Sequence, residues 1–187
     1  MITPISEQTF CYGDIMNIDR KYLPLPVLGF SPRSIFTLGV ATRTSGDWSH
    51  FMWMIEPGVF ASQGWFYRRK TLEDYREYTL KFVYNPAWSE AQKKVLMDSI
   101  LRELSKSHWE TRYDILAIFG QLVGLKWIQH GRLEICSDDA NRIGLIDFRY
   151  NLKYPSPADV NAWMKLYKWS PDNPNGYLVL GRFFGRD

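Results

Sequence analysis

The run Asp47-Trp48-Ser49-His50-Phe51-Met52-Trp53-Met54-Ile55 is apolar at nearly every position after its first residues, and Glu56-Pro57-Gly58-Val59 stands at its end. A strand with apolar side chains on both faces has to be covered on both, so it belongs in the middle of a sheet. Pro followed by Gly is what the centre of a type II turn requires. The chain therefore returns as a second strand over Val59 to Trp65. A two-residue turn pairs Glu56 with Val59 and sets Met52 opposite Gln63 and His50 opposite Trp65. Cross-strand partners share a face, so Gln63 is expected on the His50 side and Ser62 on the other. A three-residue turn would slip the register by one and exchange the two.

The rest of the chain supplies layers for that hairpin. Gly13 to Ile18 reads as a turn feeding a short strand, and Pro24, Pro26 and Gly29 read as breaks. A helix is expected from Ser31-Pro32, with Ile35, Leu38 and Gly39 on one face. Tyr78 to Tyr84 is a third strand. Ser89-Glu90-Ala91-Gln92 is a capping box, and Met97, Ile100, Leu101 and Leu104 form the apolar stripe of the helix it opens. A further helix holds Tyr113, Asp114, Leu116, Ala117 and Phe119. Another follows Cys136, with Ser137, Asp138 and Asp139 in its first turn. Ser156-Pro157 starts one more, with Val160, Trp163, Met164 and Tyr167 on one face, and Tyr177 to Phe184 is a last strand. These elements predict one α+β domain over residues 1–187, a length that suits a single core.

Composition narrows the function classes. Hydrophobic residues make up 45% of the chain and aromatics 16%, which argues for a packed core. A net charge of +3 is too small to argue for nucleic acid. Arg68-Arg69-Lys70 could contact phosphate, but Glu73, Asp74 and Glu77 follow closely, so the run reads better as a mixed, solvated face. No stretch is long and apolar enough to span a membrane. The first residues carry neither a basic n-region nor an apolar h-region, so no secretory signal is expected. One disulfide between Cys11 and Cys136 is possible, but a signal-less, reducing location such as the cytoplasm suits a free Cys136. No phosphate-binding glycine loop is present, and the histidines and cysteines have no metal-ligand spacing.

Two residues can carry nucleophilic chemistry. Cys136 stands at or beside a helix start, where the partial positive charge favours a thiolate. Asp138 and Asp139 pull the other way, so Cys136 needs a cationic partner. Taken alone, this stretch fits a small buried hydrophobe better. His50 at the head of the apolar strand could take the thiol proton if the two meet in space. His108 and His130, each among polar residues, are weaker candidates.

The order of the short motifs adds a resemblance. Gly13-Asp14-Ile15, then Trp48-Ser49-His50, then Tyr113-Asp114, then Ile135-Cys136-Ser137-Asp138 resembles the circularly permuted papain-like hydrolases of the YiiX/YebB type, relatives of the NlpC cell-wall peptidases. Ser156-Pro157-Ala158-Asp159 is similar to a later segment of that family. The likeness runs from about residue 12 to about residue 160, roughly a whole domain. It implies a papain-like NlpC-type fold in permuted order, with an antiparallel sheet against helices. It assigns Cys136 as nucleophile and His50 as general base in cleavage of a cell-wall-like peptide amide, with no metal or cofactor. An acyltransferase or lipid-ester hydrolase acting on an acyl substrate is the alternative, and a non-catalytic protein that kept the fold is another.

There are two departures from the family pattern. Asp138 stands where the family has Glu, and no acidic residue follows on the strand after His50. The two-residue register supplies Gln63 as the third catalytic residue, since its amide oxygen can accept from an imidazole. Tyr113, Trp65 and Asp14 are the expected substrate-binding residues.

Overall fold

The structure is a computed structural model that describes residues 8–30, 48–112, 114, 119, 136, 143, 156–168 and 170–185. Seven strands share one mixed sheet: β1 (Gln8–Phe10), β2 (Leu25–Phe30), β3 (His50–Glu56), β4 (Val59–Gln63), β5 (Tyr67–Thr71), β6 (Thr79–Tyr84) and β7 (Leu178–Phe183). Their order across the sheet is β1-β7-β6-β2-β3-β4-β5. Only the β1–β7 pair is parallel; the other neighbours are antiparallel. Three α-helices, α1 (Tyr12–Met16), α2 (Glu90–Leu104) and α3 (Pro157–Leu166), and two 3₁₀ turns, Arg20–Tyr22 and Leu72–Tyr75, complete the described elements. The architecture is α+β. None of the described helices is long and apolar enough to cross a membrane.

The apolar run forms an interior strand, as its two-sided pattern requires. Phe51, Trp53 and Ile55 of β3 pack on one face with Leu96 and Ile100 of α2 and Val160 and Met164 of α3. Met52 and Met54 pack on the other face with Ile15, Ile18, Phe60, Leu72, Tyr75, Leu80 and Phe82. Burying each such side chain contributes about 1.5–3 kcal/mol, so this strand is a large share of what holds the fold together.

Both long helices begin where their caps place them. The Ser89 hydroxyl accepts from Gln92 N–H, and Ser156 does the same for Asp159 N–H, with Pro157 in the first turn. On α2 Leu96 and Ile100 point inward, while Leu101, expected on the apolar stripe, is exposed. The helix expected from residue 31 to before residue 45 lies outside the described residues, and of those expected over 113–119 and after Cys136 only Asp114, Phe119, Cys136 and Ile143 are described.

Two expectations change, and one strand was not anticipated. Residues 13–18 are not a strand. Cys11 and Asp14 form a capping box, with Cys11 N–H donating to the Asp14 carboxylate at 2.8 Å, and the segment closes into α1. Residues 25–30 are not a break but the interior strand β2. Proline is tolerated there because the β6 ladder begins at Val27, so Pro26 lies at the end of the strand that β6 does not reach. The charged Arg68-Arg69-Lys70 run lies within β5, an edge strand. Charge on an edge discourages pairing with another chain and hides the strand from a pattern search.

Candidate active site

His50 is the first residue of β3, partly exposed, on the sheet face that carries Met52 and Met54. Its partner is set by a bulge. The hairpin closes with Glu56 opposite Val59, but Met54 then pairs with Phe60 and Met52 with Ser62. From the turn to that point β3 has used one more residue, Ile55, than β4 has. The extra residue of a bulge shifts everything beyond it by one position. Ser62 is thereby brought to the His50 face and Gln63 to the opposite one.

The consequence is a three-residue chain. His50 Nε2 lies 2.8 Å from Ser62 Oγ. The Tyr75 hydroxyl donates to the same oxygen at 2.6 Å. The Tyr75 and His50 rings lie nearly parallel, 28° apart in tilt, with centroids 6.5 Å apart. Ser62 is fully buried and Tyr75 nearly so. A 3₁₀ turn, Leu72–Tyr75, delivers the phenol, and its capping box joins Thr71 N–H to the Asp74 carboxylate at 2.7 Å. Burial raises the Tyr75 pKa, outweighing the Ser62 bond, so the phenol stays protonated and remains a donor.

Electrostatics hold His50 neutral. Burial first and Lys70 second lower its pKa to about 4. The Lys70 ammonium sits 5.2 Å from the centre of the Tyr75 ring. Cys136 is buried and within electrostatic range of Tyr75, where negative charge on the thiol works against phenol ionisation. That coupling reaches Tyr75, the far end of the Tyr75–Ser62–His50 chain from the imidazole.

The chain matches no protein-family model and no curated protein sequence.

The other expected site residues are placed elsewhere. Gln63 does not orient His50: its amide Nε2–H donates to the Thr111 carbonyl at 2.7 Å, tying the end of β4 to the 107–112 loop. Trp65 is not opposite His50. β4 ends at Gln63, and Trp65 projects from the 64–66 connection, 71% exposed. Asp14 is engaged in its cap, and α1 packs Met16 beside Gly58 at the turn end of the β3–β4 hairpin. Six strand steps separate that turn from His50, roughly 20 Å. Tyr113 lies outside the described residues, while Asp114 beside it is buried. His108 stacks on Phe66 at 4.7 Å. Among the described residues no cluster of His, Cys, Asp or Glu could hold a metal.

Tyr75 was not singled out by sequence, and Lys70 was read only as part of the solvated Arg68-Arg69-Lys70 face. The signal for Tyr75 was Thr71-Leu72-Glu73-Asp74, a capping-box pattern that announces a turn at the end of β5.

Proposed function

We propose that this protein is a thiol-dependent hydrolase that cleaves a peptide amide through a Cys136 acyl-enzyme, on a papain-like fold in permuted order. The observation that carries the reading is the Tyr75–Ser62–His50 hydrogen-bond chain, whose Tyr75 phenol feels the charge of Cys136. A general base needs a third group to fix its tautomer and ring plane. Ser62 takes that role in place of Gln63. With Ser62 engaging Nε2, Nδ1 is the nitrogen left for the thiol. When Nε2–H donates to Ser62, Nδ1 carries the lone pair.

The chemistry follows from these protonation states. His50 is neutral at pH 7, so the thiolate forms as attack proceeds and not as a standing ion pair. Nδ1 takes the thiol proton while sulfur adds to the carbonyl carbon. The imidazolium then gives that proton to the departing amine, leaving a thioester. Water adds to the thioester with Nδ1 again as base, and the acid leaves. Ser62 is ill placed to be the nucleophile itself, being fully buried with the Tyr75 donor already on its oxygen. A cell-wall peptide is the first substrate to test, by family likeness alone. Transfer of the acyl group to an acceptor other than water would use the same residues.

Burial of Cys136, 2% exposed, favours a second reading, a non-catalytic protein in which the thiol simply packs. Labelling by a thiol-directed electrophile separates the two. Catalysis expects Cys136 to label selectively and His50→Gln to slow that labelling. Indifference of the labelling rate to His50→Gln would remove the dyad.

A further inference from the structure

We propose that Lys70 and Arg68 form a carboxylate-binding subsite beside His50, so that the substrate is an acidic peptide with its carboxylate close to the cleaved bond. The assignment of the cleaved bond rests on the Cys136–His50 reading; the binding of the carboxylate does not.

Register puts both cations on the site's face. Arg68 is opposite Ser62 and Lys70 opposite Phe60, and cross-strand partners share a face. The Lys70 stem leans toward His50: its Cε lies 4.0 Å from where a Cβ on Gly64 would stand, past the end of β4. Its ammonium covers the Tyr75 ring on which His50 stacks. Among the described residues, neither cation has a carboxylate within ion-pair distance. Asp74, the nearest acid to act on Lys70, is committed to Thr71 through both the backbone N–H and the hydroxyl. Arg69, on the opposite face, is by contrast paired with Glu56 at 3.0 Å.

Like charge therefore accumulates where it is least comfortable. Burial and Arg68 both weaken the hold of Lys70 on its proton, and Lys70 in turn weakens that of His50. A substrate carboxylate placed on the two cations would relieve both effects. Arg presents a planar fork suited to a carboxylate, and Lys adds a point charge. The groups around His50 are then Ser62 and Tyr75, neutral, and Lys70 with its charge offset, joined on the hydrolase reading by Cys136.

The test uses Cys136→Ser protein, so that nothing is cleaved, and two probe peptides, acetyl-Ala-Glu-Ala-amide and its Gln counterpart. Affinity is read by titration, and the His50 proton by NMR, assigned with His50→Gln. The Glu peptide should bind about tenfold tighter and raise the His50 pKa. Lys70→Met and Arg68→Met should each erase most of that preference. Lys70→Arg should retain it, and so should Arg69→Met. Equal binding of the two peptides, no binding of the Glu peptide, or equal loss in Arg69→Met and Lys70→Met would overturn the subsite. Inorganic phosphate displacing the Glu peptide better than succinate would overturn the carboxylate assignment. A retained Glu preference in a protein whose Cys136 resists labelling would remove the hydrolase reading and leave the subsite standing.

Discussion

His50 and Ser62 are twelve residues apart in the chain and 2.8 Å apart in space because one strand of their hairpin is a residue longer than the other. The bulge at Ile55 selects which β4 side chain meets the imidazole. Bulges re-aim side chains next to sites, and here the re-aimed residue is a serine that a second buried donor, Tyr75, holds from behind.

Ser62→Ala removes the bond to His50 and strands the Tyr75 hydroxyl in the core. An unpaired buried hydroxyl costs about 1–3 kcal/mol, so stability should fall by about that much. Turnover should fall by about one to two orders of magnitude as the base loses its orientation. Gln63→Ala should loosen the tie to Thr111 with a smaller loss of turnover. Kinetics and urea melts on both variants check this, and a larger kinetic loss in Gln63→Ala would contradict the assignment.

The His50 shift predicts a pH dependence of stability. In the unfolded chain His50 takes up its proton near 6.5, and in the folded protein only near about 4. Between those values unfolding binds a proton. This contribution is complete above 6.5 and is lost as pH falls toward 4, by at most about 3 kcal/mol, since the partly exposed His50 keeps some contact with solvent. His50→Gln cannot bind that proton, so its stability should decline less over the same window. Urea melts at about pH 7.5 and about pH 4.5 give the comparison. Parallel curves for the two proteins would mean that His50 titrates normally.

What the sequence made legible, and what it did not, divides along local and non-local lines. The Ser89 and Ser156 caps, the Pro57-Gly58 turn and the two-sided apolar strand are written in adjacent residues, and each stands where its pattern put it. The bulge is not local. It depends on how Ile55 packs with Trp53 and Leu96 on one face while Met54 packs on the other, so the correct turn still led to Gln63. β2 was hidden by Pro26, and β5 by its charges. Lys70 looked solvated because sequence gives its neighbours in the chain but not the Tyr75 ring it covers. His50 and Cys136 were visible as residue types, while the stacking of Tyr75 near His50 and its bond to Ser62 exist only in three dimensions.

Lys70 is the second cause of the His50 shift, after burial. Lys70→Met should therefore move the His50 pKa up from about 4 but leave it below 6.5. The acid limb of the rate of Cys136 alkylation against pH should move the same way. An unmoved limb would place Lys70 too far from His50 to act on it.

The two cysteines should behave oppositely. Cys136→Ser should abolish turnover, because a hydroxyl in its place is a far weaker nucleophile with this base. Cys11 is exposed and stands at the N-cap of α1. Serine is a better N-cap, so Cys11→Ser should keep full turnover and leave stability level or a few tenths of a kcal/mol higher. Loss of turnover in both variants would point to a covalent link between them.

Gly58 tests the separation of the two ends of the hairpin. It has a φ of +70°, and a Cβ there would run into Met16 of α1. Alanine meets two separate penalties, a left-handed backbone and a steric clash, each about 1 kcal/mol or more. Asparagine tolerates that φ better, so Gly58→Asn isolates the clash. Adding Met16→Ala should recover part of the loss from Gly58→Ala, the part due to the clash. None of these changes should move the acid limb set by His50, since the turn lies roughly 20 Å away along β3. Thermal melts and the alkylation profile on the same samples separate stability from site chemistry. A shifted profile in Gly58→Ala would show that α1, and with it Asp14, is coupled to the site after all.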